Sequence, residues 1–101
     1  MNPQSEIRNP HSTQSPIRVL LVDDSPMVLH LLQRLLSRSP EIQVVGTAAN
    51  GKEGLDRVCA LKPDVVCTDL HMPVMNGLEF TRAVMDICPR PILVVLSLIH
   101  I

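Results

Sequence analysis

The stretch Asp64-Val65-Val66-Cys67-Thr68-Asp69-Leu70-His71-Met72-Pro73 carries a short run rich in β-branched residues that ends on a carboxylate. Such a run predicts a buried strand, and Pro73, placed after Asp69, stops a ladder or helix from continuing. Asp69 then stands where a strand leaves its sheet. In open parallel α/β sheets, ligands collect outside the carboxyl ends of the strands. An acid at that place is either a strand terminator left in water, as Asp often is in turns, or a group set there for chemistry.

A second acidic pair lies upstream in the same kind of place. Ile17 to Val22 is apolar apart from Arg18, the pattern of a strand hidden on both faces of a parallel sheet, and it runs straight into Asp23-Asp24. Ser25-Pro26 supplies an N-cap hydroxyl and a proline at the first helical position. Val28, Leu31, Leu32, Leu35 and Leu36 follow at helical spacing, and Ser39-Pro40 is expected to end the helix. His30 falls off that stripe and reads as a solvated helix residue.

The alternation then repeats. Gln43 to Thr47 predicts a shorter strand at a sheet edge. Asn50-Gly51 supplies a turn and cap for a helix to about Leu61, burying Leu55, Val58 and Leu61. Pro63 closes it before the strand that reaches Asp69. Asn76-Gly77 starts a third helix whose inner side is expected to hold Leu78, Phe80, Thr81, Val84 and Met85. Pro89 and Pro91 bracket Arg90, and Ile92 to Val95 is a fourth strand. Strands alternating with helices through short loops predict right-handed crossovers and an α/β, doubly wound parallel sheet.

Composition narrows the function classes. The chain has 101 residues, room for one domain, with one Phe (Phe80) and no Trp or Tyr, so its core must be aliphatic. Nine Lys plus Arg against ten Asp plus Glu give a net charge of −1. That leaves no basic field for nucleic acid or a membrane surface and no aromatic platform for stacking bases. Cys59, Cys67 and Cys88 contain no Cys-x-x-Cys and are expected to be free, buried thiols, as suits a reducing cytosol. No signal peptide or membrane-spanning run is evident. Met1 to Pro16, polar and proline-rich, reads as a disordered leader in which His11 needs no role.

If the first and third strands are neighbours, Asp23, Asp24 and Asp69 converge at the topological switch point. Three carboxylates so close cannot all stay ionised without a partner. A hard divalent cation, Mg²⁺, answers that need: it takes carboxylates, a carbonyl and waters, and can also hold phosphate oxygens. One carboxylate could then act as a nucleophile towards phosphorus. A merely structural acidic rim is the alternative.

Val19-Leu20-Leu21-Val22-Asp23-Asp24-Ser25, Pro63-Asp64-Val65-Val66-Cys67-Thr68-Asp69 and Met72-Pro73-Val74-Met75-Asn76-Gly77, in that order, resemble the receiver domain of two-component response regulators over residues 17–95. The resemblance implies a flavodoxin-like sheet of strand order 2-1-3-4, with a fifth strand and the last helices missing from this chain. It implies Asp69 as the acceptor of phosphate from a sensor histidine kinase, and Asp24 and Asp69 as direct Mg²⁺ ligands. Asp23 would act through water, and the backbone carbonyl of His71 would be a further ligand, with the His71 side chain overhanging the site or simply facing solvent.

Within that family, Ser39-Pro40-Glu41-Ile42-Gln43-Val44-Val45-Gly46-Thr47-Ala48 and Cys88-Pro89-Arg90-Pro91-Ile92-Leu93-Val94-Val95 most resemble receivers of chemotaxis protein-glutamate methylesterases. Those gate a C-terminal hydrolase acting on chemoreceptors. Receivers of DNA-binding transcription regulators share much of the Val-Val-Gly segment and are the second reading, with a stand-alone receiver a third. Phosphatases of the haloacid dehalogenase type place an acid two residues after the nucleophile, where this chain has His71.

The chain also departs from the receiver pattern. The fourth strand of a receiver ends in Ser or Thr, but position 96 is Leu96 and Ser97 comes one place late, a shift that turns a side chain to the other face. The lysine expected on a fifth strand has no counterpart, because the only lysines are Lys52 and Lys62. Leu96 to Ile101 matches what a transposon-end sequencing adapter encodes in one frame. Residues 96–101, His100 included, are therefore expected to be a non-native junction tail on a truncated receiver, itself expected to be marginally stable.

Overall fold

In a computed structural model, residues 15–72, 74–88 and 91–96 are described. The leader up to residue 14, the prolines at 73 and 89 with Arg90, and the tail from Ser97 onward lie outside the described residues. Seven elements follow one another: β1 (Ile17–Val22), α1 (Pro26–Leu36), β2 (Ile42–Ala48), α2 (Gly51–Leu61), β3 (Val65–Asp69), α3 (Gly77–Ile87) and β4 (Ile92–Leu96). The strands form one sheet in the order β2-β1-β3-β4, with every pairing parallel. The α/β doubly wound architecture expected from the alternation is the one observed, with β2 at an edge.

Each helix begins where a side chain satisfies its first free amide donors. The Ser25 hydroxyl accepts from the Val28 N–H at 3.3 Å, and Pro26 follows at the first helical position. Asn50 accepts from the Glu53 N–H at 2.9 Å. Asn76 and Glu79 form a reciprocal capping box, each side chain accepting from the other's backbone N–H at 2.9 and 3.0 Å. Helix α1 runs to Leu36 with Ser37 as its cap, just before Ser39-Pro40, and the chain leaves it through tighter i→i−3 bonds from the Arg38 N–H to the Leu35 carbonyl and the Ser39 N–H to the Leu36 carbonyl at 3.4 and 3.1 Å.

Arg18, the one polar residue in β1, has a role that its place in an apolar run hides. Its guanidinium donates to the carbonyls of Leu61 and Lys62 at 2.7 and 3.0 Å, so a cation closes the C-terminus of α2 where the helix dipole favours one. Its backbone N–H donates to the Asp64 carboxylate at 2.9 Å. Lys62 itself turns left-handed (φ 49) to end the helix.

The core is aliphatic around a single aromatic. Leu20, Val22, Val58, Val66, Phe80 and Val84 are buried between the sheet and the α2–α3 layer. Phe80 fits because Gly54 faces it: a Cβ at position 54 would lie 2.9 Å from Phe80 Cε1. Leu78 and Met85, expected on the inner side of α3, are exposed instead. The buried line runs through Gly77, Phe80 and Val84, and residues 78 and 85 lie about 100° round the helix from it. On α1 no residue is fully buried, and Leu31 and Leu35 are about half exposed at 54% and 50%. No described element covers that part of the stripe.

Two variants, one single and one double, separate core from surface. Gly54→Ala gains helix propensity of about 1 kcal/mol but overpacks a buried ring at ~1–3 kcal/mol. It is expected to lower stability in a denaturant titration. The pair Leu31→Gln and Leu35→Gln removes exposed apolar surface, so it should reduce binding of an environment-sensitive dye while shifting the melting midpoint little.

Candidate metal centre

The pairing of β1 with β3 builds the site. Val22 lies opposite Thr68 in the parallel register, so Asp23, one residue on, leaves the sheet beside Asp69. Asp23 keeps its backbone in line by donating its N–H to the Ala48 carbonyl of β2 at 3.0 Å. Its carboxylate Oδ1 accepts from the Ser25 N–H at 2.8 Å, which bends the chain and carries Asp24 over the strand ends. One carboxylate oxygen from each of Asp23, Asp24 and Asp69 then lies within 4.8 Å of the others. The expected convergence of these three acids is observed.

Their environments differ. Asp23 is buried, Asp69 half-buried and Asp24 exposed. Burial pushes the Asp23 carboxyl above its ordinary value, the Ser25 N–H pulls against that, and the negative charges of Asp69 and Asp24 push it up further. A carboxyl raised in this way holds its proton more tightly in the fold than in the unfolded chain. Its contribution therefore favours the fold at acid pH and is lost as pH climbs through the raised value. At neutral pH the ionised cluster works against the structure that holds it.

The floor of the site is backbone. The Gly77 N–H donates to the Leu70 carbonyl at 2.9 Å, and a Cβ at 77 would run into the Asp69 carbonyl oxygen and come within 2.9 Å of Leu70 Cα. Glycine lets the start of α3 lie directly under the end of β3. Sequence reasoning took Asn76-Gly77 as a turn and helix start but not as this close backbone contact, which depends on where β3 ends. The buried Thr68 hydroxyl donates to the Asp69 carbonyl at 3.1 Å. Val74, in the loop between β3 and α3, has φ 73, a conformation that strains a β-branched residue by about 1–3 kcal/mol.

His71 is exposed, two residues beyond Asp69. Leu96 of β4 pairs with Asp69 in the ladder, so the position beside the acid on that strand belongs to an aliphatic residue, and β4 runs one residue beyond Val95.

An all-oxygen, triply acidic donor set fits a hard divalent cation. Two oxygens bound to one Mg²⁺ at about 2.1 Å can be no more than about 4.2 Å apart. A cluster spanning at most 4.8 Å meets that by a small closure or by one acid reaching the ion through water.

Comparison with known proteins shows the family. A family model described as the response regulator receiver domain matches residues 19–100. A protein-glutamate methylesterase/protein-glutamine glutaminase of Pseudomonas fluorescens is 49% identical over 84 residues, which cover 83% of this chain and 22% of that protein. One from Geobacter metallireducens is 52% identical over 79 residues, covering 78% and 23%. The chain thus spans under a quarter of the length of these curated relatives. The response regulator domain of Thermotoga maritima CheB superposes with a TM-score of 0.78 at 36% identity, covering 81% of this chain and 60% of that one. The receiver of a Mycobacterium tuberculosis NarL regulator gives 0.78 at 31%, covering 87% and 71%. Among the described residues no helix is long and apolar enough to cross a membrane.

Asp23→Asn tests the electrostatics. Removing one ionised acid from the cluster should raise the metal-free melting midpoint by about 4–8 °C, the shift that about 1 kcal/mol produces in a domain of this size. If the cluster holds Mg²⁺, adding the ion should raise the midpoint of the unsubstituted protein by mass action and raise that of the variant less or not at all.

Proposed function

We propose, because the chain belongs to the response regulator receiver domain family, that it works in phosphorelay signalling by accepting a phosphoryl group on Asp69 from a sensor histidine kinase. The observation that carries the reading is the meeting of Asp23, Asp24 and Asp69 at the ends of β1 and β3. Asp69 stands at the end of a fixed strand and is half-buried, whereas Asp23 is buried and already holds the Ser25 N–H. Between Asp69 and the exposed Asp24, the family resemblance favours Asp69.

In the proposed step, an Asp69 carboxylate oxygen attacks the phosphorus of a phosphohistidine. An O–P bond forms as the P–N bond breaks, and the imidazole nitrogen keeps the electron pair and takes up a proton. Asp24 and Asp69 are the direct Mg²⁺ ligands of this reading, with Asp23 acting through water and the His71 carbonyl completing the protein's share. When bound, Mg²⁺ would neutralise the acids and steady the phosphoryl oxygens. The chain's own residues do the positioning: Ser25 orients Asp23, and Gly77 with Thr68 fixes the backbone at Asp69.

The curated relatives support a chemotaxis methylesterase as the parent protein. Its hydrolase, released by phosphorylation, would act on chemoreceptor glutamates in the cytoplasm, with a chemotaxis-type kinase as the donor. A DNA-binding output is the second reading, resting on the Val44-Val45-Gly46 segment that receivers of transcription regulators share. Coding sequence downstream of Val95 separates the two, as a hydrolase sheet or a helix-turn-helix.

The acceptor role is tested with Mg²⁺ and acetyl phosphate. The protein should gain the mass of one phosphoryl group in an acid-stable, base-labile form, Asp69→Asn should gain none, and a chelator should abolish labelling. Equal labelling of both proteins would remove Asp69 from the role.

A further inference from the structure

All three thiols are free, and none is fully buried: Cys59 is exposed, while Cys67 and Cys88 are half-buried. The expectation of buried thiols is therefore corrected at Cys59, which lies on the outer side of the last turn of α2. It is not isolated there. Its Sγ lies 3.6 Å from the Sγ of Cys88, the residue that caps α3, with one thiol donating a hydrogen bond to the other.

We propose that Cys59 and Cys88 are a redox-modifiable dithiol that closes into a disulfide between α2 and α3 when a low-molecular-weight disulfide supplies the oxidising equivalents.

The geometry favours this pair over any other. The sulfurs must approach by about 1.6 Å to reach a bonded separation of about 2.05 Å, a movement within reach of side-chain rotation at two helix ends. The helices themselves are held together by Phe80 seated against Gly54, so the thiols are presented to each other by the fold. Cys88 has left helical geometry (φ −138, ψ 79) while its N–H still donates to the Val84 carbonyl at 2.7 Å. Its side chain thus hangs from an anchored but non-helical residue. Cys67, in the middle of β3, is half-buried and has no sulfur partner of this kind, and burial pushes its thiol up.

The chemistry balances as thiol–disulfide exchange. The exposed Cys59 thiolate attacks one sulfur of the small disulfide, forming a mixed disulfide and expelling one small thiolate. The Cys88 thiolate then attacks Cys59 Sγ, forming the Cys59–Cys88 bond and expelling the second. Two electrons pass to the small disulfide, and the two protons lost by the cysteines end on the released thiols. The Cys88 thiol raises the Cys59 thiol above its ordinary value, so the first step is slow with a mild oxidant at neutral pH.

The bond would join positions 29 apart and enclose β3, with Asp69, and the whole of α3. It would form at the opposite end of the molecule from the acids: α2 and α3 both start at the strand ends that carry Asp23 and Asp69, and both finish at these cysteines. The link is thus a reversible staple on the scaffold.

The test is the full chain, reduced and then exposed to oxidised glutathione. A Cys67→Ser background is used because Lys62 precedes Pro63, which leaves Cys59 and Cys67 in one tryptic peptide. Peptide mapping should find the Cys59 and Cys88 peptides joined, with the intact protein lighter by two hydrogens and carrying no glutathione. Cys88→Ser should trap one glutathione on Cys59. Closure should be at least about tenfold faster in native buffer than in concentrated urea, because folding raises the effective concentration of one thiol at the other. The melting midpoint should rise by roughly 5–15 °C on closure. A stable glutathione adduct on Cys59 beside a free Cys88, no reaction at either thiol, or equal closure rates with and without urea would overturn the proposal.

Discussion

Mutual repulsion among three carboxylates is the constraint to which the rest of this molecule answers. The parallel pairing of β1 with β3 sets Val22 beside Thr68 and so compels Asp23 and Asp69 to leave the sheet together. The Ser25 N–H then folds the chain so that Asp24 joins them. An arrangement that stores unfavourable charge in a partly desolvated place is unusual for structure alone. Such a set of oxygen donors fits a hard divalent cation.

The scaffold supplies the stiffness this requires. β1 is buried almost completely from Val19 to Val22, so the acids project from the least yielding part of the sheet. Gly77 brings the first turn of α3 against the backbone of Asp69, and Gly54 lets Phe80 lock α2 to α3. Arg18 closes the far end of α2. Two glycines and one arginine thus convert a sheet and two helices into a fixed frame, while α1 contributes a half-exposed apolar face and little burial.

Much of this was legible in the residues. The apolar runs, Ser25-Pro26, Asn50-Gly51 and Asn76-Gly77 announce the elements and their starts, because caps and β-branched runs act locally. The acids at strand ends announce the site once the strand order is granted. What could not be seen depends on long-range packing. Nothing local says that Leu78 and Met85 turn away from the core, that Arg18 reaches the end of a helix more than forty positions on, or that Cys59 and Cys88 meet. The end of α1 falls just before Ser39-Pro40, where the last turn tightens into bonds from Arg38 to Leu35 and from Ser39 to Leu36.

One carboxylate oxygen from each of Asp23, Asp24 and Asp69 converges at the ends of β1 and β3, so the anchoring of a divalent cation is expected there first. Paramagnetic broadening of backbone amide signals by substoichiometric Mn²⁺, used as a probe for Mg²⁺, reads that anchoring directly. The account predicts that residues 22–25 and 68–71 broaden first while those around Cys59 and Lys62 stay sharp. Broadening spread evenly over Glu53, Asp56 and Asp86, with the strand ends spared, would contradict it.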